Sequence, residues 1–355
     1  MDKVELLDDK KRVGDIDKGG MLLAVTNFPD MLANAIGLLP QGSLRQQKKI
    51  KQLVVAGMGG SAIAGDILGS LLREKAPFPV FVNRSYYSPA FVDKETVFFA
   101  ISYSGNTEET LGATKEAAKR GAKIICITSG GALKKLAEQH GFPFYLIPAG
   151  FQPRAALPYL LAPILNAVKA LGLAELKEKE LQETLALLNE LKDEYGLEKP
   201  VRANLAKQTA QKLLGKTPLV FASVGITDSV GLRFKTQLNE NSKIMAAINL
   251  FPELNHNEIV ALAALKRNQH NYSLLFLRDE KDSERIKKRM EITKSLIGNQ
   301  LGGVNQIWSK GKSRLARILS LIYLGDFVSV YLAILQGIDP TPVEAITRLK
   351  KELKR

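Results

Sequence analysis

The chain has 355 residues and a mass of 39.0 kDa, enough for about two domains at ~150 residues each. Hydrophobic residues make up 45% and charged residues 24%, a balance that excludes collagenous, mucin-like and disordered classes. The net charge of +14 is scattered, and its local clusters, KKIK (48–51), RIKKR (285–289) and RLKKELKR (348–355), carry no interleaved aromatics, so they read as solvated helix faces and not as a nucleic-acid surface.

The opening segment 1–20 is charged throughout, with no apolar stretch ahead of a small-residue cleavage site, and no signal peptide is expected. Runs rich in Val, Ile and Phe then recur at βα spacing: QLVVA (52–56), PVFVN (79–83), VFFAIS (97–102), KIICIT (123–128) and FPFYLIP (142–148). Such runs predict parallel strands buried on both faces. The apolar runs Ala155–Leu165 and Ile318–Gly325 fall short of the ~20 residues that span a bilayer, so buried helices and no membrane contact are expected.

From 172 to 198, Leu and Ala recur at helical spacing among Glu and Lys, which predicts an amphipathic connecting helix. The strand pattern restarts with PLVFAS (218–223), KIMAAIN (243–249), YSLLFL (272–277) and VNQIW (304–308), and a long apolar helix follows from about Arg314 to Gly337. The expected organisation is an αβ lobe over 1–165, a helical connector over 166–200 and a second αβ lobe over 201–355. VVAGMGGSAIAGDIL (54–68) and VFASVGITDSVGLRF (220–234) echo each other as strand, glycine turn and helix. That points to a duplicated lobe with one surviving binding loop.

A single cysteine, Cys126, forms no internal disulfide, and three histidines, His140, His256 and His270, make no zinc-type Cys/His cluster. A cytoplasmic chain without metal or cofactor is expected.

Two motifs carry chemistry. AGMGGSAIAGD (56–66) follows a strand and opens a helix, where glycines admit an anion to the backbone and first-turn N–H groups face it. Gly57, Gly59 and Ala62 also fit the GxGxxA dinucleotide fingerprint. The ribose carboxylate is missing, since Asn83 and Arg84 stand where Asp or Glu is wanted, although Arg84 suits a 2′-phosphate. The second motif, FFAISYSGNTEET (98–110), repeats strand, hydroxyl-rich loop and helix start. Ser102, Ser104 and Thr107 supply donors for one phosphomonoester, and Asn106 suits a strained turn. Helix capping by Ser104 or Thr107 is the plainer reading, but two adjacent hydroxyl-bearing loops exceed what capping requires.

GMGGSAIAGD and SYSGNTEET resemble the two phosphate-binding loops of sugar isomerase (SIS) domains. NENSK (239–243), NHNE (255–258) and DPTPVEAITRLK (339–350) resemble segments of the bifunctional phosphoglucose/phosphomannose isomerases, and the similarity runs over almost the whole chain. The resemblance implies an α/β fold of two SIS-type αβα sandwich lobes with flavodoxin-like parallel sheets. It further implies a homodimer, no metal, and interconversion of glucose 6-phosphate, and of mannose 6-phosphate, with fructose 6-phosphate through a cis-enediol.

By the same resemblance Gly59, Gly60, Ser61, Ser102, Ser104 and Thr107 bind the phosphate. Glu240 is the base that shuttles a proton between C1 and C2, and His256, supplied across the dimer interface, opens the ring. Arg154 stabilises the enediolate, and Thr341 and Lys350 lie near the sugar, with Lys351 an alternative to Lys350. These residue types suit an aldose-ketose isomerisation, because a desolvated carboxylate exchanges protons near neutrality, imidazole works as acid and base, and guanidinium stays charged. Two rivals remain, a glucosamine-6-phosphate-forming isomerase domain and a non-catalytic sugar-phosphate-sensing SIS protein. Glu240, His256 and Arg154 together favour catalysis over sensing.

Overall fold

The computed structural model describes residues 5–47, 49–175, 177–265, 271–301 and 304–353. His270, Lys48 of the first basic cluster and the last two residues of the basic tail lie outside these. In chain order, α1 (Lys10–Ile16), α2 (Met21–Thr26) and α3 (Phe28–Ile36) lead to β1 (Gln52–Ala56), α4 (Gly60–Leu72), β2 (Val80–Asn83) and β3 (Thr96–Ile101). Then come α5 (Glu108–Lys119), β4 (Lys123–Thr128), α6 (Gly131–His140), β5 (Phe144–Leu146), α7 (Leu157–Ala170), α8 (Glu178–Tyr195) and α9 (Leu205–Leu213). The second series is β6 (Thr217–Ser223), α10 (Thr227–Glu240), β7 (Ala247–Phe251), α11 (Glu258–Ala263), β8 (Tyr272–Arg278), α12 (Glu284–Ile297) and β9 (Val304–Trp308). Helices α13 (Arg314–Leu335) and α14 (Glu344–Glu352) close the chain.

The chain divides into two compact units, each discontinuous in sequence. One comprises Met1–Thr26, Leu188–Lys310 and Leu319–Arg355; the other comprises Asn27–Leu187 and Gly311–Ile318. The N-terminal residues join the unit of the second sheet through Asp8, whose carboxylate accepts from Lys207 Nζ at 2.9 Å and from the Val201 N–H at 3.0 Å.

The sheet of the Asn27–Leu187 unit has the order β2-β1-β3-β4-β5, and every neighbouring pair is parallel. This is the flavodoxin order, which reverses direction between β1 and β3, and ligands of such sheets bind beyond the carboxyl ends of the strands at that reversal. All residues of β1 and β3 are buried, as strands covered by helices on both faces must be. At Gly65 on α4 an added Cβ would stand 2.8 Å from Val55, so the glycine lets that helix lie close on β1. The sheet of the other unit repeats the pattern as β7-β6-β8-β9, again parallel. Its core is centred on Phe221, Phe251 and Phe276, with ring centroids 5.9–6.2 Å apart, and burying such a ring contributes ~1.5–3 kcal/mol.

Two sequence expectations need correction. The strand read at 243–249 begins at Ala247, because Lys243 has φ 58° and Asn239 Nδ2 donates to the Ile244 carbonyl at 2.7 Å, which makes a turn where the apolar letters suggest extension. The long apolar helix expected from about Arg314 is present, but the expectation that its apolar run falls short of a membrane-spanning length is not met. Helix α13 continues for 22 residues with mean hydropathy 2.1 in an 18-residue window, which by length and composition suffices to cross a membrane, and that window is wholly buried in protein. Asp326 is tolerated there because Arg233 Nη2 and Gln237 Nε2 donate to its carboxylate at 2.6 and 2.9 Å.

Candidate active site

In the Asn27–Leu187 unit the two motifs follow β1 and β3, the strands that flank the reversal of the sheet. Gly59, at φ 51°, is the N-cap of α4. The Ser61 N–H bonds the Met58 carbonyl at 3.0 Å, and Ser61 is buried. A Cβ at Gly57 would lie 3.1 Å from the Ile101 carbonyl oxygen, so the first loop abuts the residue that precedes Ser102. A Cβ at Gly60 would lie 2.9 Å from the Pro153 carbonyl oxygen and 3.3 Å from the Arg154 Cα. The backbone of buried Arg154 is thereby brought against the start of α4, whose dipole and first-turn N–H groups favour an anion.

In the second loop Ser102 Oγ and Thr107 Oγ1 are 2.8 Å apart. Thr107 is the N-cap of α5 but makes no side-chain cap bond, so capping does not account for its hydroxyl. Ser104 is exposed, and its Oγ accepts from the Asn106 N–H at 3.3 Å. The strained position is Gly105 and not Asn106: Gly105 has φ 69°, and a Cβ there would collide with the Gly130 carbonyl oxygen at 1.8 Å. Asn106 instead accepts from the Ala132 N–H at 3.0 Å and donates to the Ser104 carbonyl at 3.1 Å.

A third loop, Thr128–Gly131 after β4, escapes motif reading. Ser129 Oγ donates to the Tyr103 carbonyl at 2.6 Å, and the Leu133 N–H to the Gly105 carbonyl at 2.8 Å. Its sequence signal is the run of TSGG letters after a strand. Tyr103 packs and braces: its hydroxyl accepts from the Phe151 N–H at 2.8 Å and donates to the Pro148 carbonyl at 3.1 Å, which fixes the second loop to the segment that delivers Arg154. Arg84, the residue suited to a 2′-phosphate, is paired with Asp66.

The remaining sequence-derived residues belong to the other unit. Glu240 is the last residue of α10 and half-buried. The roll of α10 is set by Arg233, whose Nε donates to Asp326 Oδ1 at 3.0 Å, and by Asn241 Nδ2, which donates to Ser329 Oγ at 2.9 Å. Thr341 is half-buried, with its N–H on Asp339 Oδ1 at 2.9 Å. Lys243 Nζ bonds the carbonyls of Glu240 and Pro340, so the base candidate and the Thr341 segment are brought together.

His256 is exposed and ends the turn Glu253–His256. Its neighbour Asn255 is anchored by Thr293 at 2.9 Å and Arg289 at 3.2 Å, and Asn257 accepts from the Glu258 N–H. The nearby carboxylates Glu253 and Glu258 accept from Asn257 and Asn249. His140 is exposed and stacked on Phe142. Lys350 and Lys351 both lie exposed in the last turn of α14, an element with no buried residue. His256 and Lys350 therefore stand on separate exposed elements.

The echo of the first motif lies after β6, at the corresponding reversal between β6 and β8. Ser223 Oγ there donates to Asp282 Oδ1 at 2.6 Å, Asp282 Oδ2 accepts from the Asp279 N–H at 3.2 Å, and the Ser223 N–H bonds Thr227 Oγ1 at 2.7 Å. Burial pushes the Asp282 carboxyl up, against the hydrogen bond from Ser223. Buried Cys126 is pushed up to about 12 by desolvation, which makes it an inert core residue.

Residues 44–141 match the SIS domain, and residues 202–353 match the bacterial phospho-glucose isomerase C-terminal SIS domain. A bifunctional phosphoglucose/phosphomannose isomerase of Caldicellulosiruptor bescii is 46% identical over 94% of this chain and 98% of its own length. One of Aquifex aeolicus is 41% identical over 86% and 91%. A D-glucosamine-6-phosphate 4-epimerase of Sulfolobus acidocaldarius is 32% identical over 86% and 90%. Among solved structures, a glucose-6-phosphate isomerase-like protein from Thermus thermophilus superposes with TM-score 0.65 at 19% identity over 97% of this chain and 98% of that one, a likeness of fold.

Proposed function

Because the chain belongs to the bifunctional phosphoglucose/phosphomannose isomerase family, we propose that the loops after β1 and β3 hold the 6-phosphate while Glu240, His256 and Arg154 isomerise the sugar. The protein is an aldose-ketose isomerase that interconverts glucose 6-phosphate and mannose 6-phosphate with fructose 6-phosphate.

The observation that carries the site assignment is the meeting of two loops at the reversal of the sheet: the N-terminus of α4 with Gly59, Gly60 and Ser61, and the hydroxyl pair Ser102 and Thr107, with Ser104 exposed beside it. A phosphomonoester needs several donors on one side and water on the other, and this geometry fits that need.

In this reading His256 protonates the ring oxygen and accepts the anomeric hydroxyl proton. Glu240 then carries a proton between C1 and C2, and the guanidinium of Arg154 stabilises the enediolate oxygens. Lys350 and Thr341 contact the sugar. A second copy of the chain supplies His256, and the setting is cytoplasmic. The cation that steadies the enediolate comes from the chain itself, so activity should persist in EDTA. The test is a coupled assay of purified protein in EDTA with glucose 6-phosphate, mannose 6-phosphate and glucosamine 6-phosphate in turn. Conversion of the first two to fructose 6-phosphate is the expected result, and action on the third alone would overturn it.

A further inference from the structure

Glycine aside, Lys243 alone among the described residues takes a left-handed backbone, with φ 58°. Side-chain-bearing residues avoid that region and persist in it where the surroundings over-determine the conformation. The turn around Lys243 is over-determined. Asn241 Nδ2 donates to Ser329 Oγ at 2.9 Å, Ser242 Oγ to the Ser329 carbonyl at 2.5 Å, Gln336 Nε2 to the Ser242 carbonyl at 2.9 Å and Asn239 Nδ2 to the Ile244 carbonyl at 2.7 Å.

The ammonium ties two segments together. It donates to the carbonyl of Glu240, at the negative end of α10, and to the carbonyl of Pro340 at 2.8 Å. A cation there is favoured by the helix dipole. Pro340 immediately precedes Thr341, which is confined on two further sides: its N–H is held by Asp339 at 2.9 Å, and behind it a Cβ at Gly19 would lie 2.3 Å from its own Cβ.

From this geometry we infer that Lys243 is a positioning residue, a clamp that holds the Glu240 turn and the Thr341 segment in one fixed relation. The inference rests on the reading of Glu240 as the base and of Thr341 as a neighbour of the sugar. A carboxylate that must reach both C1 and C2 tolerates little displacement, since misplacement by about 1 Å costs on the order of a hundredfold in rate. The clamp fixes where the base stands, and phosphate binding is assigned to other loops. Its loss should therefore appear in kcat and leave KM nearly alone.

The experiment compares Lys243→Gly, Lys243→Arg and Glu240→Gln in steady-state kinetics on both aldoses, with Tm alongside. Lys243→Gly relieves the left-handed backbone while deleting the ammonium, so folding is kept. The expected result is a kcat lower by about tenfold or more on both aldoses, KM within about threefold and Tm within a few degrees. Lys243→Arg, which keeps a donor cation, should recover most of the turnover. Wild-type kcat in Lys243→Gly beside an inactive Glu240→Gln would overturn the clamp alone. Near-normal turnover in Glu240→Gln would remove the base assignment and the clamp with it.

Discussion

Asp282 accepts a hydrogen bond from Ser223 at 2.6 Å, and the pair occupies, at the β6/β8 reversal, the place where the other sheet presents the loops proposed to hold phosphate. A carboxylate held by a hydroxyl is the internal counterpart of a bound anion. The second copy of the fold is thus filled by its own side chain. One sugar phosphate per chain is the expected stoichiometry in isothermal titration with fructose 6-phosphate, and two equivalent sites would contradict this account.

The same carboxylate carries a pH signature. Its folded-state pKa is raised above 3.8 by burial, so the native state binds protons more readily than the unfolded chain. The associated stability is complete below about pH 3.8 and is lost as pH rises through the higher native value. Asp282→Ser removes this component. Its Tm relative to wild type should therefore improve as pH rises above about 3.8 and level off once the native carboxyl has ionised, and a flat or opposite trend would show that the Asp282 carboxyl is not raised.

In the proposed site, Ser104→Ala deletes one donor to a dianionic phosphate. Hydrogen bonds to charged groups contribute ~1.5–3 kcal/mol, so KM for fructose 6-phosphate should rise about tenfold or more while kcat changes little. Inorganic phosphate should compete in the wild type. Unphosphorylated glucose turned over as well as its 6-phosphate would defeat the loop assignment.

Dual specificity makes a prediction at Thr341. Glucose 6-phosphate and mannose 6-phosphate differ at C2 and give one planar enediol, so the choice between them is steric. Their kcat/KM values should agree within about tenfold, or ~1.4 kcal/mol. Thr341→Gln should depress the mannose reaction selectively. Gly19→Ala, whose Cβ must displace Thr341, should shift the ratio in the same direction by about threefold or more. An unchanged ratio in both variants would relieve Thr341 of this role.

The buried pair of Arg233 and Asp326, with Gln237 as a third partner, sets the roll of α10. Asp326→Asn leaves a guanidinium buried without its counter-charge, so a loss of about 3–5 kcal/mol is expected from denaturant unfolding. A loss below about 1 kcal/mol would mean that the pair only balances its own desolvation.

What was legible in the sequence was whatever local composition dictates. Eight of the nine described strands, β1 to β6, β8 and β9, were readable from their Val, Ile and Phe runs, and the glycine- and hydroxyl-bearing loops after β1 and β3 from their letters. The start of β7 was not, because the turn at Lys243 is enforced by Ser329 and Gln336, residues distant in sequence. Asn106 has the residue type for a left-handed turn, but Gly105 takes that backbone, where the Gly130 carbonyl leaves no room for a Cβ. Asp326 looked like the end of an apolar run, since its partner Arg233 is 93 positions away. The carboxylate of Asp282 beside Ser223 was invisible for the same reason, being 59 positions distant.

The most direct test of the central claim is turnover by Glu240→Gln, measured with fructose 6-phosphate binding on the same preparation. The amide keeps the shape and cannot take a proton from C1 or C2, so kcat should fall by about a hundredfold or more while the binding constant stays within about threefold. Near-normal turnover would contradict the assignment of Glu240 as the base.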